Sequence, residues 1–254
     1  MRLRLLALFC FLISAVNAYA LTESELRAKV IAALDNVKNY AMDNNMDMRI
    51  STLNPSGENT LLFDQLMDSR SWIDFEKNAV RMEYTVKVKT KDKEQSMPGQ
   101  AYIAGGFFYQ KAGEQWFKRI VTDVDREIFK ACAQEKEILS AAQMEIITQD
   151  PLYVVVVPDK DKAAQEMVKK MRALLGDKAG ALNISVETLT FEYWFDGDSN
   201  IKKKRTLSRV KVASADQPVQ IIEESTSAAY SAYNQGVVIE LPAEAQEAQL
   251  SPLK

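Results

Sequence analysis

Histidine is absent from this chain of 254 residues. That absence excludes Ser-His and Cys-His nucleophilic sites, His-ligated zinc and the usual proton shuttle near neutral pH. Catalysis could then use only carboxylate pairs, lysine or a hard cation held by carboxylates. Two acidic groupings are candidates, but Asp196 and Asp198 fit a hairpin turn, while Asp123 and Asp125 fit a helix start. We therefore predict no enzyme, no metal site and no cofactor.

A long apolar run is also missing. The most apolar block, residues 5–16, has twelve residues, whereas a membrane-spanning helix needs about 20. The block follows Arg2 and Arg4 and precedes the small residues Ala18 and Ala20. This order is typical of a secretory signal peptide, so residues 1–20 are predicted to be cleaved off. The mature chain is then expected in the periplasm or cell envelope, with no transmembrane segment.

Cysteine is scarce as well, and only Cys132 remains after such cleavage. No disulfide within the chain is then possible, and a lone cysteine in an oxidising compartment is usually buried and inert. Basic charge is not in excess either, because loss of Arg2 and Arg4 takes the formal net charge from −3 to −5. This balance does not favour phosphate contacts, so we expect no nucleic-acid partner.

What the sequence does have is alternation along residues 72–121, a pattern that predicts four strands in succession. Its clearest run places apolar residues at every second position: Val80, Met82, Tyr84, Val86 and Val88. Successive strand side chains point to opposite faces, so this ribbon has one apolar face and one charged face. The apolar face must be covered by helices of the same chain or by a bound molecule.

The first predicted helix begins at a capping box formed by Thr22 and Glu25. Apolar residues then recur at helical spacing as far as Tyr40 and give one stripe for packing on the sheet. Asn44 and Asn45 are expected to end this helix, because asparagine tolerates a left-handed turn.

The middle of the chain is predicted to be a helical insertion at about 123–176 that covers the sheet. A helix over 123–147 precedes a continuous apolar run over 152–157, which indicates a strand covered on both faces. A second helix follows over 159–175. The pattern therefore predicts an α+β fold, with a mostly antiparallel sheet and amphipathic helices.

Strands are predicted on both sides of the insertion. Ile73 lies in a strand separate from the one at 60–66, and residues 217–222 and 226–233 form two further strands. Residues 101–111 are predicted as one strand, in which two adjacent glycines indicate a bulge or a sharp bend.

No repeat or long linker divides the mature chain. One domain is therefore expected over 21–242. A polar C-terminal tail at 243–254 is expected to be frayed or weakly helical.

Four segments, in this order, resemble the LolA/LppX-like lipoprotein-carrier superfamily. They are YIAGGFFY at 102–109, GEQWFK at 113–118, FEYWFD at 191–196 and VIELP at 238–242. The resemblance implies an open, curved antiparallel half-barrel closed by helices, with acyl chains or another apolar ligand in its concave face. The arginine-based lid of the lipoprotein chaperones has no matching stretch here and is not carried over. The same fold occurs in envelope-stress sensors that bind a membrane partner, so both roles stay open.

Seven side chains are candidates for lining such a cavity: Met82, Tyr84, Val86, Phe107, Tyr109, Phe191 and Tyr193. Methionine adapts its shape and aromatic rings offer large flat contact areas, which suits an apolar ligand. The same residues would also build an ordinary dry core.

The sequence thus predicts an exported, non-catalytic carrier for a hydrophobic ligand, either a lipid or the acyl chain of a lipoprotein. The alternative is an envelope protein-interaction or stress-sensor module without a lipid ligand. A third reading is a carboxylate-dependent hydrolase that uses Asp196 or Asp198. The expected partners are a hydrophobic small molecule or lipid and, for the alternative, an envelope protein.

Overall fold

A computed structural model describes residues 21–54, 57–175, 183–214 and 217–250. For residues 170–175, 214 and 217 it describes the backbone alone. The predicted signal peptide at 1–20 lies outside the described residues. The strands are β1 (Asn39–Leu53), β2 (Asn59–Asp74), β3 (Ala79–Lys89), β4 (Glu94–Ala104), β5 (Phe107–Ala112), β6 (Gln115–Ile120), β7 (Gln143–Gln149), β8 (Leu152–Val157), β9 (Asn183–Phe195), β10 (Ile201–Ser214) and β11 (Gln217–Ser231). The helices are α1 (Glu23–Asp35), α2 (Asp123–Arg126), α3 (Ala131–Ala141), α4 (Lys160–Leu175) and α5 (Ala243–Gln246), with a 3₁₀ helix (Glu127–Lys130) between α2 and α3.

The chain enters its sheet at the centre. The order of the 11 strands is β6-β5-β4-β3-β2-β1-β11-β10-β9-β8-β7. β1 to β6 form a meander that runs outward to one edge, and β7 to β11 form a second meander that returns from the other edge. The pairing of β1 with β11 joins the two meanders, and all neighbouring strands are antiparallel. The predicted α+β class, an open curved antiparallel sheet with helices, is confirmed.

The first helix begins where the sequence predicts, because Thr22 and Glu25 form both hydrogen bonds of a capping box. It ends earlier than predicted, at Asp35. Tyr40 lies in β1 instead of on a helical stripe. Apolar residues at every second position from Tyr40 onward fit a strand, although the spacing of the apolar residues up to Tyr40 also fits a helix. Pairing with β2 and β11 on either side favours the strand.

The predicted helix over 123–147 is wrong at its C-terminal end. α3 ends at Ala141, and the residues that follow form β7, which pairs with β8. Met144 faces Val156 across this pair, so its apolar side chain belongs to a strand. The insertion therefore adds two strands at the edge of the sheet as well as helices over it.

Two strands that the sequence predicts as broken are continuous. Ile73 lies near the end of β2. Residues 217–222 and most of 226–233 form the single strand β11, which ends at Ser231. In both cases polar residues within the strand weaken the apolar alternation that predicts a strand. Hydrogen bonds to a long neighbouring strand nevertheless continue past these residues.

The prediction of one strand over 101–111 is also wrong. Gly105 and Gly106 form the tight turn of a hairpin between β4 and β5. Their φ values are +59° and +82°, which a two-residue hairpin turn requires and glycine adopts without strain. Phe107 and Tyr109 are therefore on a different strand from Tyr102.

The C-terminal tail docks on the sheet as far as residue 250. Ala245 of α5 is fully buried against Tyr102 and Tyr109. Leu250 forms a parallel bridge with Lys118 of β6. This segment thus covers part of an edge strand that would otherwise offer unpaired backbone groups to other chains.

Candidate functional site

The two faces of the sheet differ in what covers them. We call the face that carries α1, α3 and α4 the helix face, and the opposite one the outer face. Alternate residues along each strand belong to each face. In β2, Met67 points to the helix face, because it is in phase with the buried Ile73 beneath the helices, and Leu66 points to the outer face.

Helices seal one part of the helix face, which we call the closed half. Its main cluster joins α1 and α3 to β7–β10 through Leu26, Val30, Leu34, Leu139, Ala142, Met144, Val154, Val156, Tyr193, Phe195 and Ile201. A second cluster around Tyr40, Ile73, Val80 and Ile103 continues it across β1–β4. Each such side chain contributes roughly 1.5–3 kcal/mol when fully buried, so the closed half is the main source of stability.

Beyond these clusters the helix face on β1–β4 carries uncovered apolar side chains among polar ones such as Asn44 and Gln65, and we call this apolar surface the open half. Its residues are Met46, Met48, Ile50, Phe63, Met67, Val86, Val88 and Met97. They remain partly or largely exposed, and among the described residues they lie outside the clusters that the helices build. One complete row across four strands is apolar, with Met46 facing Met67, Met67 facing Val86, and Val86 facing Met97. Uncovered apolar patches are typical of interaction sites, so the open half is the candidate site.

The open half continues beneath α4. Ile50 pairs with Ile222, and Ile222 pairs with Val210, in one row across β1, β11 and β10. Met167 and Val168 of α4 pack on the cluster that contains Val210. The same apolar surface therefore passes under α4 and emerges on both sides of it.

On the far side of α4, a groove of about 250 Å³ opens between α3, α4 and β9. Its apolar lining comes from Ile138, Ala141, Ala142, Ala163, Met167, Leu189 and Phe191. Glu137 and Lys162 stand at its rim, 3.5 Å apart. Ligand pockets commonly have about 300–1,000 Å³, so this groove suits one segment of an acyl chain better than a whole lipid.

A nearly buried ion pair ties α3 to the sheet next to this groove. Glu135 pairs with Lys204 of β10, and their side chains are 15% and 13% exposed. The Tyr193 hydroxyl donates a hydrogen bond to Glu135 at 2.6 Å. Burial raises the pKa of Tyr193 well above its usual value, and the Glu135 carboxylate adds to that shift. The Lys204 ammonium also lies 4.7 Å from the centre of the Phe191 ring, a cation–π distance.

Cys132 lies half-buried beside this pair, between the two clusters of the closed half. Burial, with a smaller contribution from Glu135, raises the pKa of its thiol to about 11. Little thiolate forms near neutral pH, which fits the inert cysteine that the sequence predicts.

Five of the seven predicted cavity residues share the helix face: Met82, Tyr84, Val86, Phe191 and Tyr193. Val86 belongs to the open half, and Phe191 lines the groove. Tyr193 is fully buried in the closed half. Met82 borders a small hollow of about 140 Å³ near Ile128. The structure therefore spreads these side chains along the face instead of gathering them in one chamber.

The other two predicted residues, Phe107 and Tyr109, point to the outer face. They pack with Tyr102 and Trp116 against Leu241 of the C-terminal segment. The hairpin turn at the two glycines places them there, on the face opposite to Val86.

Sequence reasoning missed most of the open half. Met46 and Met48 alternate with charged residues just after the predicted end of the first helix, but Met67 falls between two predicted strands and Met97 follows a charged segment. The signal that could have found them is the methionine content of this region. Their alignment in one row depends on the register between strands, which a single sequence does not give.

A larger concavity of about 850 Å³ lies across β11 and β1–β5 and opens on the outer face. Its lining is mostly polar, and several of these polar groups pair with one another. The Asn45 amide donates to Asp68 at 2.6 Å, and the Arg70 guanidinium lies 3.5 Å from Asp43. Burying an acyl chain here would strip water from charged groups, so this concavity is unsuited to an apolar ligand.

The acidic grouping at Asp196 and Asp198 is a hairpin turn, as the sequence favours. One oxygen of Asp196 accepts hydrogen bonds from the backbone N–H groups of Asp198 and Asn200 at 3.0 and 2.9 Å. These contacts fix the turn between β9 and β10.

The grouping at Asp123 and Asp125 begins α2, also as expected. Asp125 forms a capping box with Thr122 and accepts two hydrogen bonds from Arg119, at 2.5 and 2.8 Å. The Arg119 hydrogen bonds, helped by those from Thr122, hold the pKa of Asp125 well below its usual range. Within the described residues, no cluster of His, Cys, Asp or Glu could hold a metal ion. Helices in that part of the chain are also too short or too polar to cross a membrane.

Residues 22–249 match the model of a family of unknown function, DUF6612. The chain belongs to this family. The match spans all the strands and helices described above. Comparison with curated proteins gives no match.

Among solved structures, the DUF6612 chain is similar to LprF from Mycobacterium bovis, with 11% identity, a TM-score of 0.45, and coverage of 87% of this chain and 97% of that one. It is also similar to the S-type phycobiliprotein lyase CPES from Guillardia theta, with 8% identity, a TM-score of 0.20, and coverage of 73% and 85%. A beta-barrel-like DUF1849 protein from Brucella abortus has 11% identity, a TM-score of 0.20, and coverage of 74% and 97%. Similarity at this level carries no information about ligand or activity.

Proposed function

We propose that this protein binds an acyl chain or a similarly apolar ligand on its helix face and carries it through water without chemical change. The observation that supports this is the open half, whose apolar row from Met46 to Met97 lies uncovered on the same strands that are sealed in the closed half. Covering such side chains would stabilise the chain by about 25 cal/mol for each Å² of apolar surface removed from water. A bound hydrocarbon would supply that cover.

The composition of the open half suits a ligand of variable shape. Met46, Met48, Met67 and Met97 supply flexible thioether side chains that repack around different chains. Burial of acyl CH₂ groups contributes about 0.8 kcal/mol each, so ten of them would give about 8 kcal/mol before the losses of freedom on binding. That corresponds to micromolar affinity at best, which allows release as well as capture.

We further propose that the carrier works in the cell envelope and that its cargo is a lipid or the acyl chain of a lipoprotein. The predicted signal peptide at 1–20 supports export. The polar pairing in the outer concavity and the structural roles of Asp125 and Asp196 support a non-catalytic protein.

The first test is uptake of the fluorescent fatty acid cis-parinaric acid by purified protein, compared between Met67→Glu and Leu66→Glu. These neighbours on β2 point to opposite faces, so both variants add the same charge to the same strand. We expect Met67→Glu to lose most of the uptake and Leu66→Glu to keep it. Organic extracts of protein purified from its host should also contain lipid. No uptake by the unmodified protein, or equal loss in both variants, would contradict the proposal.

A further inference from the structure

Charged side chains are rare on the helix face of the sheet. Among the described strand residues that are paired in the register, three charged side chains point to this face: Arg119, Lys204 and Glu224. Every other charged residue in these pairs alternates onto the outer face. These three charges therefore decide which headgroups a ligand of the helix face can carry.

Two of the three charges are neutralised by the helical insertion. Arg119 of β6 donates two hydrogen bonds to Asp125 of α2. Lys204 of β10 pairs with Glu135 of α3. Both cations are thus engaged by carboxylates of the same chain.

Glu224 of β11 has no such partner. The ion pairs formed by the described residues do not include it. Its side chain is half-buried, and its Oε1 accepts a hydrogen bond from the Thr226 hydroxyl at 2.8 Å. The helix face therefore carries one carboxylate that no described cation compensates.

This carboxylate lies beside the apolar side chains of the open half. Glu224 faces Met48 across the pairing of β1 with β11. Thr226, on one side of it, faces Met46 at the end of the open row. Ile222, on the other side, belongs to the row that passes beneath α4. Alternate residues of a strand are about 7 Å apart, so a ligand along either row comes close to the carboxylate.

Any ligand that covers the open half removes water from Glu224. An uncharged ligand would leave the carboxylate without compensation, and a fatty acid would bring a second negative charge to it. A protonated amine supplies both a cation and hydrogen-bond donors. The charge of the site thus favours an amine.

We propose that the open half takes a ligand whose apolar chain carries a protonated amine at one end. The ammonium group binds Glu224, and the chain lies along the row from Met46 to Met97. This inference rests on the proposed function, because it uses the same site, and it adds the chemical class of the headgroup.

A purely cationic headgroup fits this face better than the zwitterionic headgroup of a phospholipid. A phosphate beside the amine would need a cation of its own once water is removed. Arg119 and Lys204 are already paired, and the paired strand residues place no further cation on the helix face. The ligand class is therefore a long-chain amine without a phosphate.

The test is NMR of the full chain labelled with ¹³C at the methionine methyl groups, titrated at neutral pH with dodecylamine and, separately, with lauric acid. The two ligands have chains of the same length and opposite charge, and Met48 reports on the surroundings of Glu224. We expect dodecylamine to bind about tenfold more tightly, which is the size of a hydrogen bond between charged groups.

Glu224→Gln should change the two affinities in opposite directions. Dodecylamine should bind about tenfold more weakly, because its ammonium group loses the charge of its partner. Lauric acid should bind about threefold more tightly, because the repulsion between two partly exposed charges is removed. A variant that merely disturbs the fold would weaken both.

The matched control is Glu223→Gln, which removes the same charge from the neighbouring residue. Glu223 points to the outer face, where it pairs with Arg209. This variant should bind both ligands like the unmodified protein. A similar weakening of dodecylamine binding in this control would overturn the proposal, since the effect would then come from net charge.

Two further results separate this inference from the proposed function. Equal affinities of the unmodified protein for dodecylamine and lauric acid, or parallel changes in Glu224→Gln, overturn the amine class and leave acyl-chain binding standing. If neither ligand shifts a methionine signal of the open half, the proposed function fails and the inference fails with it.

Discussion

Two rows of side chains on the same four strands and the same face show how the closed and open halves differ. In the closed half, Tyr40, Ile73, Val80 and Ile103 face one another in sequence across β1–β4 and are 5%, 1%, 2% and 7% exposed. The equivalent row of the open half lies six residues away on each strand. It ends at Met97, which is 48% exposed. Both rows are apolar, so what separates them is the structure that lies above them.

The difference also appears in residue type. The closed row is aromatic and β-branched, and such side chains pack tightly against the 3₁₀ helix and its neighbours. The open row has methionine on three of its four strands. Flexible side chains specify a fixed core poorly but adapt well to a partner, so the two rows are suited to different tasks.

The largest effect on stability should come from deleting a side chain of the closed half. Leu139 of α3 is fully buried, so Leu139→Ala should lower the free energy of unfolding by about 2–5 kcal/mol. Met67→Ala in the open half should cost less, about 1 kcal/mol, because Met67 is only partly buried and lies outside the clusters covered by helices. Urea denaturation of both variants measures this contrast. Similar losses in the two would mean that the open half is sealed in solution.

The next effect concerns the ion pair that fixes α3 over the sheet. Lys204→Met leaves Glu135 nearly buried without its cation and should cost about 3 kcal/mol, slightly less than for a fully buried pair. Adding Glu135→Gln should restore much of that loss, because the uncompensated charge is then gone while Tyr193 keeps an acceptor. The double-mutant cycle by urea denaturation checks this. A cost below about 1 kcal/mol for Lys204→Met would show that the pair is solvated.

A smaller effect, confined to alkaline solution, should come from the tyrosines of the closed half. Burial raises the pKa values of Tyr40, Tyr193, Tyr230 and Tyr233. Their contribution is complete below the unfolded-state pKa of about 10 and is lost as the pH rises towards their folded-state values. Each should remove about 1.4 kcal/mol of stability for each pH unit above about 10. Tyrosinate absorbance should therefore rise together with unfolding, and ionisation that precedes unfolding would contradict burial of these rings.

Signals carried by neighbouring residues were readable from the sequence, whereas the pairing of distant strands was not. The capping box at Thr22 and the alternation from Val80 to Val88 depend on neighbours in the chain, so both were predictable. The positions of β7 and of Met67 depend on partner strands far away in the sequence. The local pattern therefore predicted a longer helix where β7 lies and a connection between strands where Met67 lies.

The hairpin at Gly105 and Gly106 shows the same limit at a shorter range. Adjacent glycines permit a bulge, a bend or a tight turn, and only the pairing of β4 with β5 selects the turn. That choice moved Phe107 and Tyr109 to the outer face. The predicted cavity set was consequently divided between two faces.

The most direct measurement of the open half as a ligand site is NMR of protein labelled with ¹³C at the methionine methyl groups, titrated with lauric acid. Met46, Met67 and Met97 report on the open row, and Met144 reports on the closed half, where it is 6% exposed. We expect saturable shifts of the three open-row methyl signals and an unchanged Met144 signal. Unchanged open-row signals, or shifts confined to Met144, would contradict ligand binding in the open half.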